Sequence, residues 1–259
     1  MNKVLKIILI ITAVASTAAL LGFVSAMHSG ATCNDVIVRY SQKNDVSLVT
    51  ETDVLHSLSA VHKDIEGHLL HELDGREMER SVRSNPYIAS ARVYKTINRN
   101  LVVELRERLP FIRLIDRHGN SALLDRDGFL MPVHKTVPLR LPIVSGNFSI
   151  ETGQLAESYH ALDTIADSAL AEIYSYAQEI SRDEFWKVQF QYTEYSDTGD
   201  FIAYPQVGSH RIVIGEIEKM RTKLERLKIF YDQGLNSSNW NKYSSINIKY
   251  KDQIVCTKK

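Results

Sequence analysis

Two cysteines in 259 residues are too few to build a disulfide-held scaffold. Cys33 and Cys256 lie at opposite ends of the chain, which favours two unpaired thiols, and their pairing stays open because sequence gives no distance between them. A surplus of one charge is lacking as well. The 31 basic residues balance 31 acidic ones, which removes the field expected of a nucleic-acid binder. No Gly-x-Ser-x-Gly, Ser-x-x-Lys, Walker or dinucleotide pattern occurs, and neither CxxC nor HExxH is present. His62, His68, His71 and Glu72 are the nearest approach to a metal set, and they read better as a solvated connection between helices. Asp125-Arg126-Asp127-Gly128 lacks the later oxygen ligands of a calcium loop and reads as a hairpin turn. No cofactor is expected. There is also no long repeat and no low-complexity linker.

What the chain does have is an uncharged run from Ile7 to Met27, long enough for a helix to cross roughly 30 Å of hydrocarbon. Lys3, Lys6 and the amino terminus precede it, and no cation follows before Arg39, so the positive-inside bias places residues 1–6 in the cytoplasm and exports the rest. Val24-Ser25-Ala26 offers small residues for a signal peptidase, which keeps a cleaved signal open. The run exceeds the roughly 7–15 residues of a secretory apolar region, which favours a retained anchor. The exported part has room for one large or two modest domains, and 44% hydrophobic residues suffice for real cores.

Asp35 to Tyr40 alternates and is rich in Val and Ile, which predicts a strand. Thr50-Glu51-Thr52-Asp53 has the spacing of a capping box ahead of a helix carrying Val54, Leu55 and Leu58. A second helix is expected from about Asp74, with Met78 and Val82 on one face and a stop at Asn85-Pro86. Two strands, Tyr87 to Thr96 and Leu101 to Arg106, are joined by the polar turn Asn98-Arg99-Asn100, with Leu101, Val103 and Leu105 on the buried face. The order strand, helix, helix, strand, strand suits a small sheet covered on one face. Beyond Phe111 the pattern predicts strands with turns at 116–120 and 126–128, then an irregular stretch punctuated by Pro132, Pro138 and Pro142. A stretch of helical composition from Gln154 to Ile180 follows, interrupted near Asp167-Ser168. Strands are expected at Lys187 to Tyr195, Phe201 to Pro205 and His210 to Ile214, a helix from Glu216 to about Tyr231, and a last strand pattern from Ser245 to Cys256.

This order, with Asn85-Pro86-Tyr87-Ile88, Glu107-Arg108-Leu109-Pro110 and Leu124-Asp125-Arg126-Asp127-Gly128 in place, resembles the bacterial cell-division family FtsQ (DivIB) over nearly the whole chain. The segment with Lys223 to Tyr231, Trp240, Tyr243 and Ile246 through Cys256 looks like the Bacteroidetes-type form. The resemblance implies an α+β protein: a single transmembrane helix at 7–27, a POTRA domain (β-α-α-β-β) at 34–110, and a C-terminal mixed α/β "β domain" at 111–259 with an exposed edge strand. It implies no enzymatic activity. The implied role is a divisome scaffold in the inner membrane at the septum, with its bulk in the periplasm. Its implied partners are FtsB/DivIC- and FtsL-like proteins, together with FtsW/FtsI-type septal synthase components.

The family's last strand presents a basic residue followed by tyrosine to its partner, and Lys249-Tyr250 occupies those positions. The expected partner-binding residues are accordingly Ile246, Asn247, Ile248, Lys249 and Tyr250, on a terminal strand whose free edge takes up a partner strand. Alternation places Ile246, Ile248 and Tyr250 on one side and Asn247, Lys249 and Lys251 on the other. The helix from Glu216 reads as amphipathic, with part of its basic face free to meet an acidic partner. The alternatives are a membrane-anchored envelope enzyme and a POTRA-bearing transport or chaperone component.

Overall fold

The computed structural model describes residues 9–19, 30–42, 46–153, 155, 159–160, 168–234 and 240–259. Residues 9–19 form a helix (α1) with exposed side chains. The rest of the expected span, 7–8 and 20–27, and the tail 1–6 lie outside the described residues. Among the described residues no helix is long and apolar enough to cross a membrane. The chain divides into two compact units, Met1–Glu107 and Arg108–Lys259.

In the first unit the order is β1 (Val36–Tyr40), α2 (Glu51–Ser59), α3 (Gly75–Arg83), β2 (Ile88–Lys95) and β3 (Leu101–Glu107). The Thr50 hydroxyl accepts the Asp53 amide at 3.2 Å while the Asp53 carboxylate accepts the Thr50 amide at 2.8 Å, which satisfies free donors at the start of α2 from both sides. Asp74 starts α3 by accepting the amides of Arg76 and Glu77, and those bonds hold its carboxyl below the usual range. β3 lies between β1, to which it is parallel, and β2, to which it is antiparallel. In the turn of that hairpin Arg99 takes φ 63 while the Thr96 amide donates to the Asn100 carbonyl. Leu101, Val103 and Leu105 form one core with Val54, Leu58, Met78 and Val82, so the alternation of β3 and the spacing of both helices converge on the same interior.

Among the described residues the second unit builds a ten-stranded sheet. β4 (Pro110–Asp116), β5 (Ser121–Asp125) and β6 (Phe129–Pro132) form an antiparallel meander, with β8 (Tyr159–His160) beside β6 at one border. The turn after Asp125 needs positive φ at Gly128 (85°), and the Asp125 carboxylate accepts the amides of Asp127 and Phe129. β7 (Ile143–Gly146) runs parallel to both β4 and β9 (Tyr192–Tyr195). β10 (Phe201–Tyr204), β11 (Arg211–Gly215), β12 (Tyr243–Asn247) and β13 (Val255–Lys258) extend the sheet to its other border. Three helices cover one face: α4 (Ser168–Arg182), α5 (Glu184–Gln189) and α6 (Met220–Gly234). Tyr176 of α4 stacks on Phe201 at 4.5 Å, and Leu224 and Leu227 of α6 share the core with Ile212, Ile214 and Ile246.

Four expected elements differ. The start of the predicted strand at Lys187 is helix α5, because Asp183 caps it by accepting the Phe185 amide and because Trp186 and Phe190 stack in the core at helical spacing. The helix expected from Glu216 begins at Met220, after a turn in which Lys219 takes φ 56. Within the helical stretch expected from Gln154, the described residues give a short strand at Tyr159–His160 and helix only from Ser168. The single strand expected over 245–256 is two strands, β12 and β13, with a turn between them.

Candidate functional site

β12 ends at Asn247, where the chain turns off the sheet instead of running on as an edge. The Ile248 amide donates to the Val213 carbonyl at 2.9 Å, and the Lys249 amide donates to Asn247 Oδ1 at 2.9 Å. Asp252 then adopts φ 59, a left-handed conformation that aspartate tolerates better than most residues, and the chain reverses. Val255–Lys258 folds back antiparallel on β12, pairing Asn247 with Val255, Ile246 with Cys256 and Ser245 with Thr257. This corrects the expectation that 246–251 is the border strand. The border is β13.

The five expected partner-binding residues therefore separate into different roles. Ile246 and Ile248 are 0% exposed and belong to the core, so their side chains are not part of the exposed surface. Asn247 shapes the turn through the bond just given. Lys249 Nζ donates to both carboxylate oxygens of Asp200, at 2.7 and 3.0 Å, and that bond raises its pKa. Its stem crosses Gly215, where a Cβ would lie 2.6 Å from Lys249 Cγ; glycine is needed there for this approach and for its own φ of 78°. Of the five, Lys249 and Tyr250 are exposed, Tyr250 at 49%.

The turn is held from below by α6. Arg226 donates from its two terminal nitrogens to the carbonyls of Tyr250 (3.1 Å) and Ile248 (3.4 Å), while its buried Nε has no acceptor. Lys223, one turn earlier, is buried; its ammonium donates to the Glu216 carbonyl at 2.7 Å, and burial lowers its pKa. Further along α6, Tyr231 bonds His210 Nε2 at 3.1 Å, and His210 Nδ1 lies 3.3 Å from the Trp240 carbonyl. Burial lowers the pKa of this imidazole and favours its neutral form.

On β13 the Lys259 amide donates to Lys242, on the side of β12. Because backbone groups alternate along a strand, Thr257 and Val255 also face β12, whereas the N–H and C=O of Cys256 and the N–H of Lys258 face the open border; the Lys258 carbonyl accepts the Ser244 hydroxyl of β12 at 3.3 Å. Val255 and Lys258 are exposed and Cys256 is partly buried against the core.

Two sequence families cover these units. The FtsQ/DivIB C-terminal related family matches residues 109–257, more than half of the chain, and a POTRA-like domain matches residues 31–106. The chain belongs to the FtsQ/DivIB family. A search of the curated proteins finds no match. In this FtsQ/DivIB-type protein the Glu107-Arg108-Leu109-Pro110 motif has a physical reading. Glu107 accepts the Ser47 hydroxyl and the amides of Leu48 and Val49 in the first unit. Arg108 pairs with buried Asp125 at 3.0 Å and lies over the Phe129 ring in the second.

Among the described residues no three metal-ligating side chains are placed to hold an ion: His62 and His68 are ring neighbours with centroids 5.3 Å apart, and His68 Nε2 is taken up by Glu72 at 3.1 Å. Cys33 and Cys256 are both free thiols. Sequence reading missed Asp200, Arg226 and β13 as parts of this border. Val255-Cys256-Thr257 carried the β-propensity that signals a separate strand, and Lys251-Asp252 the turn before it. Nothing in the sequence pointed to Asp200, which lies 49 residues from Lys249.

Proposed function

We propose that this FtsQ/DivIB-type chain is a non-enzymatic divisome scaffold of the inner membrane. It is anchored by 7–27 with residues 1–6 in the cytoplasm, recruits FtsB/DivIC- and FtsL-like partners in the periplasm, and links early division proteins to FtsW/FtsI-type septal synthesis. The observation that carries the reading is the border position of β13 among the described strands, where the N–H and C=O of Cys256 and the N–H of Lys258 are turned away from β12 and can receive a partner strand. Exposed Tyr250, in the connection that leads into β13, is the aromatic anchor of this reading. Lys249, tied to Asp200, positions the turn that presents it. The anchor rests on the length of the uncharged run and on Lys3 and Lys6 before it.

Co-purification of the full chain with FtsB- and FtsL-type partners from solubilised membranes tests this. Cys256→Pro removes one outward donor and leaves the donors facing β12 in place. The expected result is at least a tenfold loss of partner with the thermal unfolding of the full chain retained. Tyr250→Ala should cost roughly 2 kcal/mol of binding if the ring is an anchor. Undiminished capture by both folded variants would refute recruitment at this border.

A further inference from the structure

The outer side of α6 and the connection from Lys249 to Ile254 enclose two adjoining clefts, of about 400 and 390 Å³, that share Arg226 and Asp252. Their walls differ. The first is lined by Lys219, Lys223, Lys249 and Lys251 together with Glu216 and Glu218; the second by Ile229, Phe230 and Ile254.

The first cleft has more cations than carboxylates: Lys219, Lys223, Arg226, Lys249 and Lys251 line it against Glu216, Glu218 and Asp252. Lys249 is paired with Asp200, and Lys219 contacts Glu218. Among the described residues Lys223, Arg226 and Lys251 form no ion pair with a carboxylate: Lys223 and Arg226 donate to main-chain carbonyls instead. Arg226 stands where the clefts meet, with its Nε buried and without an acceptor. A buried ammonium and an incompletely satisfied guanidinium in one cleft favour an incoming carboxylate, which supplies acceptors and opposite charge together. The neighbouring apolar wall includes Ile229, which is 55% exposed.

We propose that this composite groove seats a short polypeptide segment carrying a carboxylate at one end and an apolar side chain at the other. Lys223 and Phe230 are seven residues apart on one helix, or about 10 Å at 1.5 Å per residue. An extended peptide covers that distance in about three residues. The recognised pattern is therefore an acidic residue followed or preceded, about three positions away, by a large apolar one. A peptide fits better than an anionic lipid surface, because Lys223 lies inside the cleft and not on a flat basic face. The groove is also continuous with the proposed recruiting border: Ile254 in its wall directly precedes Val255, the first residue of β13.

The meaning of the groove rests on the scaffold reading, but its test does not depend on β13. A fluorescein-labelled Glu-Asp-Ser-Thr-Leu-Phe peptide is titrated onto the full chain in detergent micelles and followed by anisotropy. The same protein is mixed in parallel with phosphatidylglycerol vesicles. Saturable peptide binding is expected, weakened at least tenfold when the two acids are replaced by Gln and Asn. It should weaken similarly with Lys251→Glu and with Ile229→Glu, both exposed positions outside the core, and be unchanged by Cys256→Pro. Equal binding of the neutral peptide, parent-like binding by both groove variants, or vesicle binding without peptide binding would overturn the proposal. Peptide binding that disappears with Cys256→Pro but survives both groove variants would overturn it too, since it would place the peptide on the edge strand.

Discussion

In the first unit Glu107 takes three donors from 47–49, Asp74 takes the first amides of α3, and Glu79 accepts the Val93 amide at 2.8 Å, so its carboxylates fasten helices and loops to the sheet. In the second unit Asp116 and Asp125 do the same work at hairpin turns, yet among the described residues Lys223, Arg226 and Lys251 form no ion pair with a carboxylate, beside a border strand. Internal satisfaction produces a rigid part. Incomplete satisfaction next to an open border produces a surface with free energy still to gain from a partner, and that is where recognition is expected.

The strongest way to break the comparison is to remove an internal partner. Arg108→Ala strands the buried Asp125 carboxylate and should cost about 3–5 kcal/mol, read as faster hydrogen exchange across 108–259 with 31–106 unaffected. Exchange that rises equally in both units would contradict the division of roles between Glu107 and Arg108. Leu105→Ala, at a site 1% exposed, should cost roughly 2–5 kcal/mol and act in the first unit. Unchanged thermal unfolding there would contradict the register of β3.

Acidification should have a smaller effect on the second unit. His210 has its pKa lowered in the folded state relative to about 6.5 when unfolded, so its contribution is complete above that value. It is lost as pH falls below about 6.5 and through the depressed folded pKa. Urea midpoints at pH 7.5 and 5.5 should therefore differ more for the parent than for His210→Phe, and equal differences would dissociate the imidazole from this effect. Smallest of all, Lys249→Glu exchanges an exposed ion pair with Asp200 for repulsion and should cost no more than ~1 kcal/mol. Its local effect is looser exchange in 248–252, and unchanged exchange there would remove the tethering role of Lys249.

The same contrast governs how much could be read in advance. The first unit was legible because its determinants are local: Thr50 and Asp53 are three apart, Asp74 and Glu77 likewise, and β3 sets Leu101, Val103 and Leu105 on one face, although Val102 is buried as well. The border of the second unit depends on contacts between distant residues. Asp200 and Lys249, or Arg226 and the carbonyls of Ile248 and Tyr250, are joined only by the tertiary fold. Run together, β12, the turn and β13 gave one apolar pattern, and only the left-handed Asp252 separates them into a covered strand and an open one. Ile246 and Ile248 fitted an apolar binding strip as well as a core, and α6 packing against that end of the sheet made them core.

The most direct measurement is amide hydrogen exchange on β13 in the full-length protein, with and without an FtsB-type partner, in the same membrane mimic. Strand addition is expected to slow exchange at Cys256 and Lys258, whose amides face the open border, while Val255 and Thr257, already facing β12, change much less. Slowing at Val255 and Thr257 alone, or no slowing at Cys256 and Lys258 in a complex that has formed, would contradict recruitment at the β13 border.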